Sequence, residues 1–167
     1  MKIRNAQAGD LPQILHLNHE SVRFLSPLNL ERLALLQSQA TYFRVLEEHG
    51  SVAAFLLAFR EGSAYDSPNY RWFASRTPRF LYIDRVVVAS TMQGRGAGSR
   101  FYEDLFAFAR AGDVRIVTCE FDLDPPNQIS RRFHERMGFR QVGTQTYGAE
   151  NKLVSLQSLE LAGQNGA

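Results

Sequence analysis

The stretch from Val86 to Arg100, VVVASTMQGRGAGSR, sets three β-branched residues before three glycines that fall within five positions. A glycine cluster between a strand-forming run and a helix-forming run marks backbone that bends sharply or comes close to another group. The chemistry such a loop offers is anion binding. Successive main-chain amides and the positive end of the following helix can surround a diphosphate, where side chains at the glycine sites would obstruct it. Arg95 and Arg100 can add charge. A tight turn that only starts the helix is the plain alternative. A P-loop requires a lysine after the last glycine, and none is present. A dinucleotide fingerprint needs glycine where Ser99 stands, although Glu120 lies at about the right spacing for a ribose contact, so that reading survives as a weaker one.

The elements that must position this loop can be read from periodicity. Phe80 to Val88 reads as a strand. Phe101, Leu105, Phe108 and Ala109 then fall at helical spacing before Gly112 ends the helix. A second strand, loop and helix follow: Arg115 to Phe121, a turn over Asp122 to Asn127, then Ile129, Phe133 and Met137 before Gly138. Upstream, Lys2 to Ala6 suggests a strand. Asp10 can cap a helix with Pro12 in its first turn and Leu11, Ile14, Leu15 and Val22 on its apolar face. Leu28 to Gln39 reads as another helix, and Tyr42 to Glu47 with Ser51 to Arg60 as a hairpin turning at His49-Gly50. Glu61 to Arg79 reads as a long irregular loop, and Gln141 to Tyr147 and Lys152 to Leu161 as closing antiparallel strands.

With 167 residues, 44% hydrophobic and 22% charged, the chain suits one domain over residues 1–161, followed by a flexible tail over 162–167. A net charge of +2 is too near balance to imply nucleic acid or a membrane surface as partner. The single cysteine, Cys119, is expected to pack as a small core residue. No apolar run reaches the roughly 20 residues that span a bilayer, and the start MKIRNAQAGD lacks the apolar core of a signal peptide, so the expected location is the cytoplasm. His16 and His19 share a helix face but lack further ligands, and no metal site is expected.

Two motifs carry a family resemblance. Gln93-Gly94-Arg95-Gly96-Ala97-Gly98 is similar to the Q-x-x-G-x-G acetyl-CoA loop of the GNAT N-acetyltransferase superfamily. Asn127-x-x-Ser130-x-x-Phe133-His134-x-x-x-Gly138-Phe139 resembles that family's N-x-x-A-x-x-[FY]-Y-x-x-x-G-F segment, and the motifs occur in the family's order. The resemblance implies an α/β fold with a mixed, mostly antiparallel sheet flanked by helices. Its central strands, here Phe80 to Val88 and Arg115 to Phe121, would splay to admit the pantetheine arm. It also implies acetyl-CoA as co-substrate, held by Val86, Val88, Gln93, Gly94, Arg95, Gly96, Ala97, Gly98 and Asn127. A homodimer is compatible with the family.

Acetyl transfer to an amine needs a neutral nucleophile, a polarised thioester carbonyl and a proton for the departing thiolate. Asp84, alternating with Tyr82, Val86 and Val88 on one strand face, is the first base candidate by resemblance; its alternative is an ion pair with Arg85 or with a loop arginine. Glu120 is the second, acting through water, facing solvent or orienting a cationic substrate. His134 stands where the family usually has the tyrosine that serves as acid, so it is either an imidazole acid or a packed histidine. Asn127 can cap the helix, touch the pantetheine arm, or do both. For the acceptor, a small-molecule or peptide amine, Tyr70, Trp72 and Phe73 can wall a pocket, with Arg71, Arg76 or Arg79 holding a carboxylate, or these aromatics simply pack the loop. A non-catalytic acyl-CoA binding module is the competing function class, and His134 is its main support.

Overall fold

The computed structural model describes residues 1–21 and 25–163. Val22, placed above on the first helix, and residues 164–167 of the expected tail lie outside the described residues. Among the described residues the elements are β1 (Lys2–Asn5), α1 (Leu11–Glu20), α2 (Leu30–Gln39), β2 (Tyr42–Glu48), β3 (Ser51–Arg60), α3 (Pro68–Ala74), β4 (Leu81–Val88), α4 (Ala97–Ala111), β5 (Ile116–Asp124), α5 (Gln128–Met137), β6 (Arg140–Tyr147) and β7 (Lys152–Glu160). The strands form a mixed, mostly antiparallel sheet in the order β1-β2-β3-β4-β5-β7-β6, with helices flanking it. No helix among the described residues is long and apolar enough to cross a membrane.

The chain divides into two compact units, and it passes from one to the other at the last residue of β3, within β4 and within α4. The first unit comprises Met1–Phe59 and Asp84–Phe108. Its core joins Leu11, Ile14 and Leu17 of α1, Leu33 of α2, Val45 of β2, Val52 and Phe55 of β3, and Val87 of β4. His49 and Gly50 both have positive φ, 51° and 77°, the two-residue turn whose twist matches that of the flanking strands. Asp104 fastens α4 to β2 by accepting from the Tyr42 hydroxyl at 2.6 Å and from Arg44 Nη1 at 2.7 Å. The middle of α4 is thereby tied to β2.

The second unit comprises Arg60–Ile83 and the chain from Ala109 onward. Here β5 pairs antiparallel with β7, and β7 with β6, while Leu81 and Tyr82 pair in parallel with Val117 and Thr118. Gly138, at φ 96°, closes α5 in the left-handed conformation that lacks a Cβ penalty.

Three expectations change. The segment Glu61 to Arg79 is not wholly irregular, because Ser67 caps α3 by accepting from Tyr70 N and Pro68 occupies its first turn. Asp10 does not cap α1 with its side chain. Its carboxylate closes the preceding turn on Gln7 N at 2.8 Å and takes Arg4 Nη1 and Nη2 at 2.7 and 2.9 Å, which holds it below the usual carboxylate range against the opposing effect of burial. Strand β5 runs on to Asp124, past the expected end at Phe121.

Candidate active site

The glycine loop begins where β4 ends. A single 3-10 turn over Ser90–Met92 leads to Gln93, and the chain then alternates between left-handed and ordinary backbone, with Gly94 and Gly96 both at φ 76°. An ordinary side chain at either glycine would be strained, and a Cβ placed there would meet nothing within 4 Å. The loop therefore opens onto free space on its glycine side. The Arg100 N–H to Gly96 carbonyl bond, 3.0 Å, is the first of α4, so the amides of Ala97, Gly98 and Ser99 have no acceptor within the helix. Alternating φ with consecutive amides at a helix start is the geometry of an anion nest, and it fits a diphosphate. Gln93, Gly94, Arg95 and Gly96 are exposed, while Ala97 is buried and seats the helix.

Arg95 does not extend freely from this loop. Its Nη1 and Nη2 each lie 3.0 Å from a different carboxylate oxygen of Glu48, at the end of β2. Val86 and Val88 are half-buried on the face of β4 opposite Val87, which belongs to the first unit's core. Asp84 forms the ion pair offered as its alternative role: Arg85 Nε donates to its Oδ2 at 2.5 Å, with side-chain exposures of 5% for Arg85 and 6% for Asp84. Arg85 Nη1 also donates to Asn18 Oδ1 at 2.9 Å and to the Ser26 carbonyl at 3.2 Å. The strand thereby reaches α1 and the chain following it.

In the second unit, alternation along β5 puts Thr118, Glu120 and Asp122 on one face and Val117, Cys119 and Phe121 on the other. Glu120 Oε1 accepts from the Tyr82 hydroxyl at 2.8 Å. The Tyr82 ring lies 5.7 Å from Tyr70 and 6.0 Å from Phe73, so two of the expected acceptor residues buttress the partner of Glu120. Both are buried, and the Tyr70 hydroxyl is held by the Arg60 carbonyl at 2.7 Å and Ser63 N at 3.0 Å. Trp72 lies over β6, where Gly143 makes room for it: a Cβ on Gly143 would stand 2.6 Å from Trp72 Cζ2. Arg76 covers the indole at 4.0 Å, and Arg71 is exposed. Burial pushes Asp122 up, opposed by Lys152 Nζ at 3.7 Å.

His134 belongs to the other face. Its ring lies 5.9 Å from Phe121, 5.3 Å from Phe133 and 5.3 Å from Phe139, and only 4% of the residue is exposed. Nδ1 lies 2.7 Å from the Ser130 carbonyl, which can only accept, so Nδ1 carries the proton and Nε2 of the neutral ring is an acceptor. Burial pushes the pKa down to about 4, although the Ser130 bond works the other way. Donation from Nε2 therefore requires an imidazolium that is scarce at neutral pH. Asn127 caps α5, its Oδ1 accepting from Ser130 N at 3.1 Å. Burial also drives the Cys119 thiol well up, which leaves it inert.

The structure thus brings Glu120 together with Tyr82, Tyr70 and Phe73, and turns His134 to the opposite face of β5. Sequence reasoning passed over Tyr82 as a partner, although its place beside Asp84 in the alternation was visible. It also passed over Glu48, for which no local signal exists. Among the described residues no cluster of three or more His, Cys, Asp or Glu side chains is arranged to hold a metal ion.

Comparison with known proteins agrees with this architecture. Residues 10–139 match the family model described as Acetyltransferase (GNAT) family. A phosphinothricin N-acetyltransferase of Streptomyces coelicolor is 42% identical over 59 residues, a match covering 35% of this chain and only 33% of that protein. Among solved structures, Ard1 from Thermoplasma volcanium superposes with a TM-score of 0.78 at 16% identity, covering 96% of this chain and 97% of that one. A ribosomal-protein-alanine N-acetyltransferase from Brucella melitensis superposes with a TM-score of 0.72 at 20% identity, covering 96% and 100%. These two likenesses speak for the fold. With the family model spanning most of its length, the chain belongs to the GNAT acetyltransferase family.

Proposed function

We propose that the protein is an N-acetyltransferase that moves an acetyl group from acetyl-CoA to a primary amine by direct attack in a ternary complex. The observation that carries this reading is the Gln93–Gly98 loop, whose left-handed glycines and helix-start amides suit a diphosphate and face open space. Gln93, Gly94, Gly96, Ala97 and Gly98 hold the coenzyme's diphosphate, and Val86 and Val88 offer strand backbone to its pantetheine arm. Asn127 caps α5 and contributes beside that arm. When bound, acetyl-CoA supplies an activated acetyl carbon, whose bond to sulfur breaks as the amine nitrogen attacks.

Glu120 is the base in this reading, oriented by Tyr82. It takes the proton from the attacking amine, and the departing thiolate is protonated from solvent, because a neutral His134 with Nδ1 committed to Ser130 is a poor donor. Asp84 acts through its pair with Arg85 rather than on the amine. Tyr70, Trp72 and Phe73 shape the acceptor side, with Arg71 exposed beside them for an acceptor carboxylate. Residues 1–161 act as one catalytic domain on a small-molecule or peptide amine in the cytoplasm, without a metal. The named relatives make amino-acid-like amines the first acceptors to try.

The buried His134 also favours a second reading, an acyl-CoA binding module without turnover. One experiment separates the two: acetyl-CoA-dependent release of free thiol across a panel of phosphinothricin, amino acids, alanyl peptides and lysyl peptides, run beside calorimetry with CoA. Amine-dependent release supports the enzyme, whereas CoA binding with no release for any amine supports the module.

A further inference from the structure

Arg95 is the one charged side chain within Gln93–Gly98, and its geometry faces away from a role as phosphate ligand. Both its terminal nitrogens are taken by Glu48, each at 3.0 Å, in the two-point fork that guanidinium and carboxylate favour. Its main-chain N–H turns back to the Met92 carbonyl at 3.3 Å. Glu48 itself stands on a rigid element: it pairs with Ser51 at the end of the β2–β3 hairpin, immediately before the two-residue turn at His49-Gly50. The loop between β4 and α4 is thus tied at its middle residue to a hairpin 47 positions earlier in the chain.

We propose that Glu48 is a positioning residue for the coenzyme: its ion pair with Arg95 fixes the Gln93–Gly98 loop in its binding conformation and keeps the Arg95 charge off the diphosphate. Binding is then carried by main-chain amides. This inference rests on the coenzyme reading of the loop given above. Gly94 and Gly96, on either side of Arg95, give the free chain more conformations than any other residue would. Holding the residue between them reduces the ordering that ligand binding must supply. A competing arrangement has the opposite sign: if Arg95 leaves Glu48 to meet a phosphate, Glu48 is a competitor of the ligand.

The test is calorimetric titration of the full chain with CoA, together with steady-state kinetics, for wild type, Glu48→Ala, Arg95→Ala, the double variant and the exchanged pair Glu48→Arg with Arg95→Glu. The expected result is a CoA Kd and an acetyl-CoA KM raised about two- to fivefold by either single change, the range typical of exposed ion pairs. The double variant should lose no more than either single one, and the exchanged pair should recover. Tighter CoA binding by Glu48→Ala, or a loss in Arg95→Ala well beyond that in Glu48→Ala, overturns the inference while leaving the coenzyme reading intact. Absence of CoA binding by the wild type overturns both.

Discussion

The Tyr82 hydroxyl donates to Glu120 Oε1 at 2.8 Å, and the Tyr82 ring is packed against Tyr70 and Phe73, so the orientation of the carboxylate is set from beneath by an aromatic cluster. If Glu120 takes the amine proton, Glu120→Gln lowers kcat by about a hundredfold or more, the usual worth of a positioned base. The KM for acetyl-CoA is unchanged. Tyr82→Phe, which keeps the ring and removes only the hydrogen bond, costs about tenfold in kcat, in line with the net value of a hydrogen bond to a charged group. Steady-state kinetics on the three proteins checks this, and a Glu120→Gln variant with wild-type turnover would remove Glu120 from the chemistry.

Asp84 and Arg85 form a buried pair in which each charge needs the other. Asp84→Ala takes a carboxylate away from a buried guanidinium and is expected to destabilise the fold by about 3 to 5 kcal/mol, as measured by urea unfolding. Asp84→Asn, which keeps the shape and one acceptor, costs less and retains turnover at a temperature where it is folded. Loss of turnover in a fully folded Asp84→Asn would return Asp84 to the role of base.

His134 makes stability depend on pH with a definite sign. Its folded pKa of about 4 lies below its ordinary value of 6.5, so the unfolded chain binds the extra proton first as pH falls. Its contribution is complete above 6.5 and is lost on going down to 4, a total of about 3 kcal/mol. His134→Gln should flatten the slope of unfolding free energy against pH across that window. The same variant should retain most of its turnover at neutral pH if solvent protonates the thiolate. An unchanged slope would mean that the ring is not held neutral.

Two glycine substitutions separate backbone strain from packing. Gly94→Ala forces an ordinary residue to φ 76° without any clash, so it should cost about 1 to 2 kcal/mol of stability and weaken CoA binding. Gly143→Ala drives a methyl into the Trp72 indole and is expected to cost about 1 to 3 kcal/mol with CoA binding intact. Thermal unfolding and CoA calorimetry on both variants check the contrast.

Much of this architecture is legible along the chain because it is encoded by neighbours. His49-Gly50 announces its hairpin, Gly138 ends α5 where expected, and the glycines after Val88 mark the loop. Helix α3 escaped because it is only seven residues long and sits among prolines and serines, although Ser67-Pro68 is a sound helix start. Asp10 looked like a cap because its type and place suit one, but Arg4 and Gln7 N claim its carboxylate. Two pairings of candidate residues lie 38 and 47 positions apart, between Tyr82 and Glu120 and between Glu48 and Arg95. No local periodicity encodes contacts at that separation. Nor could residue type alone choose between the two roles open to His134, which depend on burial and on which ring nitrogen meets the Ser130 carbonyl.

The central claim is that this chain uses acetyl-CoA to acetylate an amine, and its most direct measurement is thiol release from acetyl-CoA with and without each amine of the panel, with the acetylated product identified by mass spectrometry. The expected result is release that depends on an amino-acid-like amine, yields its N-acetyl derivative and falls about a hundredfold in Glu120→Gln. Release that ignores every amine, or no release from a chain that binds CoA, would contradict it.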